Sequence, residues 1–472
     1  MGILHVRPSR QQTVRTAGEG FFEIYSSPLG NLPVLHVAGT REQMGWQYGA
    51  LVGDLIRRNA DMTLGLFTQY GIPAELVCRI LDAAWARLAP HVSDAVLAEI
   101  ASIAAGARNA GFDVAPEDIR RLVAVTNLDM YRRDERLLEL VNPLPPAPSC
   151  TFFAAWGPRT EGGKLLASRN LDWVSRTGMH ETRLVTVYRP GGGLGFVTAG
   201  YAGIVGALAG MNEKGICFSE IGAFSGSEEL DGTPWTLTAR KVLEETGSLD
   251  HAIAVVRGAK HTIGYNFMTA DGDPGAYGTP AYAPGAAAFE TNFTCCETFR
   301  DDDPKEHNAY WRDPNGNLLP YGLPMKHAVM RADMAFSPSV RSLQAADNGP
   351  VVPGNDGDPF TAPTYVDCHK PMHDMFRAYE TGAQYVYPLR NTRVIEAGKP
   401  RPIGREEALN IAATVAHNTE KLDQNDWDVM SVVYAPTDLD FYVAYESRDP
   451  AGNWKNAPDS GYWQFDLEKL LG

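Results

Sequence analysis

The sequence predicts an α+β protein, with two stacked sheets flanked by helices and a mainly helical region ahead of them. Three observations carry that expectation. Apolar residues recur at helical spacing through much of residues 75–131. A proline-rich run, Asn142–Pro148, then breaks the pattern with four prolines in seven residues and reads as an extended, exposed linker. Beyond it the character switches to short apolar or alternating segments separated by turn residues, which is the behaviour of strands.

Taken in order, residues 1–20 are polar, hold several arginines and lack the apolar stretch of a signal peptide, so they read as a loose arm. Phe21–Val37 alternates like one or two strands and ends in Gly39-Thr40. Thr40 is placed to cap a helix opening at Arg41, where Gly45 and Gly49 suit a close helix contact. Glu75–Leu88, Val92–Ala110 and Glu117–Tyr131 continue as helices. After the proline run, Thr151–Trp156 and Lys164–Ser168 read as two strands joined at Gly162-Gly163. Glu181–Tyr188, Leu194–Ala199, Ile204–Met211 and Ile216–Ile221 are further strands. Pro190–Gly193 is a hairpin turn, and since no helix follows it, its glycines do not make a phosphate loop. The Asn212–Gly215 turn is explained by turn chemistry alone. Thr236–Thr246, closed by Gly247, and Asp250–Arg257 are amphipathic helices. Strands resume at Ile263–Thr269, Gly275–Tyr282 and Ala286–Glu290. Residues 300–375 have weak periodicity and read as a long insertion over the site. A helix at Glu406–Ala416 and a hairpin, Met430–Ala435 with Asp440–Tyr445, close the chain.

The chemistry concentrates where the linker ends. A hairpin beginning at Cys150 returns Arg169 and Asp172 to the side of that cysteine, so one turn assembles a thiol, a guanidinium and a carboxylate. A fixed positive charge lowers a thiol's pKa towards the nucleophilic thiolate. Were the Ser149–Cys150 bond cut, Cys150 would also gain an α-amine with a reference pKa of roughly 7.7–8.0, suited to a general base, and Asp172 could hold it. A buried strand cysteine beside a surface Arg–Asp pair fits the same residues.

Composition narrows the rest. At 472 residues the chain can bury one large layered domain plus an accessory one. Its net charge of −15 argues against nucleic acid or an anionic membrane as main partner. The six cysteines (Cys78, Cys150, Cys217, Cys295, Cys296 and Cys368) show no CxxC spacing, so neither a zinc ribbon nor a disulfide scaffold is indicated. No apolar run is long enough to span a bilayer, and a reducing cytoplasm suits a catalytic thiol. His369 and His373 stand near Cys368 and Asp374, but Pro371 between them argues against one helical face, and neither a metal nor a cofactor is expected. A cysteine peptidase of papain type needs a Cys–His pair, and no helix-borne Cys with a His partner is evident.

Cys150-Thr151 at a strand start, followed by Arg169-Asn170-Leu171-Asp172-Trp173, resembles the N-terminal nucleophile (Ntn) hydrolases that use cysteine. The chain is most similar to the acyl-coenzyme A:isopenicillin N acyltransferase family of self-cleaving enzymes, with choloylglycine hydrolases and penicillin V acylases as distant kin. Further blocks match that family: Gly203 to Gly215, Thr291-Asn292, Arg390 to Arg393, and the closing Ser431-Val432-Val433-Tyr434. The resemblance implies a four-layer αββα sandwich and cleavage between Ser149 and Cys150, giving a leader of residues 1–149 and a catalytic part of residues 150–472. It also implies a small-molecule amide or acyl donor as substrate, Asn292 as an oxyanion donor, and Arg390 near the thiol or a substrate carboxylate. The rival expectation is an uncleaved, non-catalytic binding protein of the same fold.

Overall fold

The computed structural model describes residues 3–69, 71–128, 150–223, 225, 227–308, 310–312, 318–320, 322–337, 339–340, 368–387, 394–416 and 426–472. In chain order its strands begin with β1 (His5–Val6), β2 (Ser9–Ala17), β3 (Gly20–Ser27) and β4 (Gly30–Gly39). Next come β5 (Thr151–Gly157), β6 (Gly163–Val174), β7 (Arg183–Pro190), β8 (Phe196–Tyr201), β9 (Ala209–Asn212) and β10 (Ile216–Gly222). Then follow β11 (Tyr265–Asp271), β12 (Gly285–Thr291) and β13 (Cys296–Phe299). β14 (Tyr310–Arg312) pairs with β15 (Leu318–Pro320) as a small hairpin, and β16 (Ala328–Arg331) follows. β17 (Tyr385–Val386) pairs with β18 (Val394–Ile395), ahead of β19 (Asp426–Ala435) and β20 (Asp440–Tyr445). β21 (Ser447–Arg448) pairs with β22 (Trp454–Lys455), and β23 (Tyr462–Asp466) is last.

Two large sheets result. The seven-stranded sheet runs β1-β23-β20-β19-β6-β5-β16, and the ten-stranded sheet runs β13-β12-β11-β10-β9-β8-β7-β4-β3-β2. They pack face to face, with β5 and β6 against β10 and with β5 and β16 against β12. Because side chains alternate along a strand, neighbouring residues of β5 serve different cores. Phe152 joins Val432 and Val443 in the core that includes Phe218 and Phe267 of the larger sheet. Phe153 joins Leu166 and Val433 against Phe376 and Leu409.

The helices are α1 (Arg41–Gln69), α2 (Ala74–Leu88), α3 (Asp94–Asn109), α4 (Pro116–Val125), α5 (Trp235–Glu245) and α6 (Leu249–Gly258). Later come α7 (Lys370–Thr381), α8 (Arg405–Val415), α9 (Ala457–Ser460) and α10 (Leu467–Leu471). α8 lies on β5, β6 and β19, whereas α5 and α6 lie on β9–β12 and α1 covers β3 and β4. Among the described residues, no helix is long and apolar enough to cross a membrane.

Several expectations change. The loose arm is instead strand: β2 pairs antiparallel with β3, and β1 pairs parallel with β23 near the C-terminus. Its polar residues hid this, since an edge strand is held by backbone bonds and needs little apolar surface. Three strands therefore precede α1 and run into the larger sheet, where β4 pairs parallel with β7. The strand expected from Ile204 starts only at Ala209, after Gly203 and Gly206 turn through positive φ (87° and 110°). Gly275–Tyr282 is turn and a short 3-10 segment rather than strand. α5 is closed by extended backbone at Thr246, not by a left-handed Gly247. Part of the expected insertion, β16, is built into the smaller sheet beside β5. The proline linker Asn142–Pro148 lies outside the described residues.

The glycine contact does form. A Cβ on Gly49 would stand 1.8 Å from the Ile103 carbonyl oxygen, and one on Gly106 would stand 2.1 Å from that of Trp46, so α1 and α3 touch backbone to backbone. Gly49→Ala must push the helices apart. Denaturant unfolding is expected to show a loss of about 1–3 kcal/mol, the usual cost of overpacking.

Candidate active site

Gly162 and Gly163, both at positive φ, turn β5 back into β6. The register pairs Thr151 with Asn170 and Phe152 with Arg169, which returns Asp172 to Cys150. The contact runs through the backbone: the Asp172 N–H donates to Cys150 Sγ at 3.4 Å, and the thiol faces the Asp172 carbonyl at 3.7 Å. Cys150 is buried as part of the inter-sheet core. Next to it, the Asn170 side chain turns to the opposite face, donating to Thr151 Oγ1 and to the Ala412 carbonyl of α8.

Arg169 is fully buried and crosses to the other sheet. Its Nε donates to the Glu220 carbonyl at 2.9 Å and its Nη2 to the Glu220 carboxylate at 2.7 Å. Nη1 is buried without a hydrogen-bond partner among the described residues. On the other side of Phe152 the register places Arg331, also fully buried. Arg331 bonds Glu290 of β12 at 3.1 Å and Glu306 at 2.6 Å, with its guanidinium carbon 4.6 Å and 4.4 Å from the ring centres of Phe299 and Phe336. Glu290 also accepts the backbone N–H groups of Phe336 and Ser337 at 2.9 and 2.7 Å. Two arginines flanking Phe152 thus each grip a glutamate of the facing sheet.

That second grip locates Asn292. Glu290 is two residues ahead of it on the same chain run, and Arg331 pairs with Phe152, two residues past Cys150. The end of β12 and the start of β5 therefore share one end of the sandwich. The Asn292 side-chain oxygen accepts from Thr294 N, Thr294 Oγ1 and Cys295 N at 2.8, 2.8 and 2.9 Å. Because backbone N–H groups can only donate, these bonds fix the amide's orientation and leave Nδ2, which is buried and has no partner among the described residues. The strand-terminal turn and a spare amide donor coexist in one side chain.

The electrostatics correct one expectation. Burial pushes the Cys150 thiol well up rather than down, and the Asp172 carboxylate adds to the rise. Arg169 pulls the other way, ahead of a further opposing contribution from Glu220. In the continuous chain the thiol is the stable form, because desolvation penalises the thiolate more than one paired guanidinium rewards it. Burial also raises Glu220, against Arg169. Across from Asp172 in the sheet stands Asp428, whose carboxyl is pushed well up by burial and then by Asp172.

Cys150, Arg169 and Asp172 are thus brought together and Asn292 is placed at their end of the sandwich, while Ser149 and Arg390 lie outside the described residues. His369 is buried as the N-cap of α7 and Pro371 sits in that helix's first turn, where proline is tolerated, so Pro371 does not keep His369 and His373 from one helix. No cluster of potential metal ligands occurs among the described residues. Glu220 and Asp428 were missed from the sequence. The available signal was a lone carboxylate inside an apolar strand, as in Phe218-Ser219-Glu220-Ile221, because a buried charge demands a partner.

Residues 159–285 match the family described as acyl-coenzyme A:6-aminopenicillanic acid acyl-transferase, the family that the motifs resemble. The matched stretch holds Arg169 and Asp172 and begins after Cys150. A protein of Archaeoglobus fulgidus, described as uncharacterized, is 26% identical over 265 residues, covering 52% of this chain and 43% of that relative. The chain thus spans less than half the length of the relative it matches. Among solved structures, an N-acylethanolamine-hydrolyzing acid amidase ortholog of Caenorhabditis elegans is similar at 11% identity, covering 67% of this chain and 100% of its own, with a TM-score of 0.37. Penicillin V acylase of Agrobacterium tumefaciens is similar at 14% identity over 67% and 91% of the two chains, with a TM-score of 0.34.

Removing Arg169 alone leaves Glu220 buried and unpaired, a change that costs about 3–5 kcal/mol. Arg169→Met is therefore expected to unfold early, and Arg169→Met with Glu220→Gln to recover much of the loss. In the double variant, alkylation of Cys150 followed against pH by peptide mass should shift to higher pH, since Arg169 outweighs Glu220 at the thiol. An unchanged profile would make Arg169 a cross-sheet tie and nothing more.

Proposed function

We propose that this protein is an Ntn amidohydrolase or acyltransferase of the αββα type, which cuts itself ahead of Cys150 and then uses that cysteine on a small amide. The observation that carries the reading is the contact of the Cys150 thiol with Asp172 on one hairpin, with Arg169 paired to Phe152 on the neighbouring strand. The family match over residues 159–285 supports the acyl-transfer class.

Maturation begins with Cys150 Sγ attacking the Ser149 carbonyl carbon. The C–S bond forms, the Ser149–Cys150 C–N bond breaks, and the thiol proton ends on the released amine. Water then hydrolyses the thioester, leaving a Ser149 carboxylate and restoring the thiol, and the proton this releases turns the Cys150 amine into an ammonium. The products are residues 1–149 and residues 150–472. A free ammonium beside the thiol adds the positive charge that the whole chain lacks, and an opposite charge within a few ångström favours the thiolate.

In turnover the α-amine, held by Asp172, takes the thiol proton, and the thiolate attacks the substrate amide. Asn292 Nδ2 and backbone N–H groups receive the oxyanion, the leaving amine departs protonated, and water or an amine takes the acyl group. Arg169 favours the thiolate, and Arg390 is assigned to a substrate carboxylate. The free cysteines suit a reducing compartment, which we take to be the cytoplasm.

Intact mass tests the maturation step. Wild type is expected to give two polypeptides and Cys150→Ala one; a wild type that keeps its full mass after prolonged incubation would sink the reading. Asn292→Ala is expected to keep the fold and lower acylation of Cys150 by about 10²–10³, the usual cost of one oxyanion donor. Acylation at the wild-type rate would remove Asn292 from the mechanism.

A further inference from the structure

Three donors converge on the side-chain oxygen of Asn292: the backbone N–H groups of Thr294 and Cys295, and the Thr294 hydroxyl at 2.8 Å. The two backbone bonds already hold the turn, together with the Asn292 N–H, which donates to the Cys295 carbonyl at 3.0 Å. The hydroxyl bond is a third that the turn does not require. Its direction is fixed from behind. Ser227 Oγ donates to Thr294 Oγ1 at 3.3 Å, which leaves the single hydroxyl proton of Thr294 for Asn292. Ser227 is buried and tied to the same run, its carbonyl accepting the Phe293 N–H at 3.0 Å. A relay of side chains thus runs from Ser227 through Thr294 to Asn292. It ends at Nδ2, which is buried with no hydrogen-bond partner among the described residues.

An amide oxygen that accepts several bonds does two things for its nitrogen. It draws electron density from the N–H groups, which then donate more strongly, since linked hydrogen bonds polarise one another. It also locks the amide against a half-turn that would present oxygen, not N–H, to a developing oxyanion. We propose that Thr294 is a positioning residue for the oxyanion site: its hydroxyl acts through Asn292 to aim and strengthen the Nδ2 donor while Cys150 is acylated. The inference rests on the reading of Cys150 and Asn292 given above, and adds the group that makes the amide an effective donor. Thr294 is exposed, so replacing it opens no cavity in the core.

Two reagents for Cys150 separate aiming from scaffolding. With p-nitrophenyl butyrate the thiolate attacks the ester carbonyl through a tetrahedral oxyanion, the C–S bond forms and p-nitrophenolate leaves. With iodoacetamide the thiolate displaces iodide at carbon and no oxyanion arises. Both reactions are timed on the purified full-length gene product, with the modified cysteine located by peptide mass. Thr294→Val is expected to slow acylation about threefold to tenfold, the worth of one ordinary hydrogen bond, and to leave alkylation unchanged. Thr294→Ser, which keeps the hydroxyl, is expected to restore the acylation rate. In an Asn292→Ala background, Thr294→Val is expected to cost nothing further, because the two act as one unit. Equal slowing of acylation and alkylation would make Thr294 a scaffold and overturn the proposal, as would no rescue by Thr294→Ser or a full further loss in the Asn292→Ala background. Thr294→Ala is the second variant, and should neither it nor Thr294→Val fold, the proposal is overturned too. Asn292→Ala acylated at the wild-type rate would sink the oxyanion reading and this inference together. A slow Asn292→Ala beside a Thr294→Val of wild-type rate would sink this inference alone.

Discussion

The structure depends on two arginines buried between two sheets. Arg331 and Arg169 stand on either side of Phe152 in one row, and each reaches across to a carboxylate, Glu290 or Glu220, of the facing sheet. Buried ion pairs are a weak source of net stability but a strict source of register, because slipping a strand by one residue would strand both charges in an apolar core. Here the register they enforce is the one that matters. It keeps Cys150, two residues from Phe152, at the same end of the sandwich as Asn292, two residues from Glu290.

The same burial that makes those pairs strict works against the chemistry. A thiol in that core resists ionisation, and the guanidinium beside it is partly cancelled by its own glutamate partner. A site of this kind needs a further positive charge at the thiol. Cutting the chain ahead of Cys150 is one way of placing one there without building another buried side chain, since the new amine is covalently held at the spot.

Much of the layered plan was legible in the sequence, because apolar runs bounded by turn residues report strands and apolar residues at helical spacing report helices. The Thr151–Ser168 hairpin, the α5–α6 pair and the closing β19–β20 hairpin all follow such patterns. The β2 strand did not, since its residues Ser9–Ala17 gain their place from backbone pairing at a sheet edge and carry little apolar signal. Cys150, Arg169 and Asp172 were legible as a unit because one tight turn brings them together. Glu220 and Asp428 were not, for their partners lie 51 and 256 residues away and only the folded register joins them. The upward push on the thiol was likewise illegible, because sequence spacing reports which charges are near but not how much water is lost.

The N-terminal region bears on what a cut would do. β4 pairs with β7 along six residues, from Val34 with Val185 to Gly39 with Pro190, and β1 pairs with β23. α1 adds its apolar face to the same large core, with Met44, Leu51 and Ile56 buried there. Severing one peptide bond between Ser149 and Cys150 removes none of these contacts. The two pieces would therefore remain a single folded body, with the first 40 residues woven into both sheets. A cut changes the charge and freedom of Cys150 while leaving the scaffold that positions it intact. The strands at the start of the chain thus belong to both sheets of that scaffold.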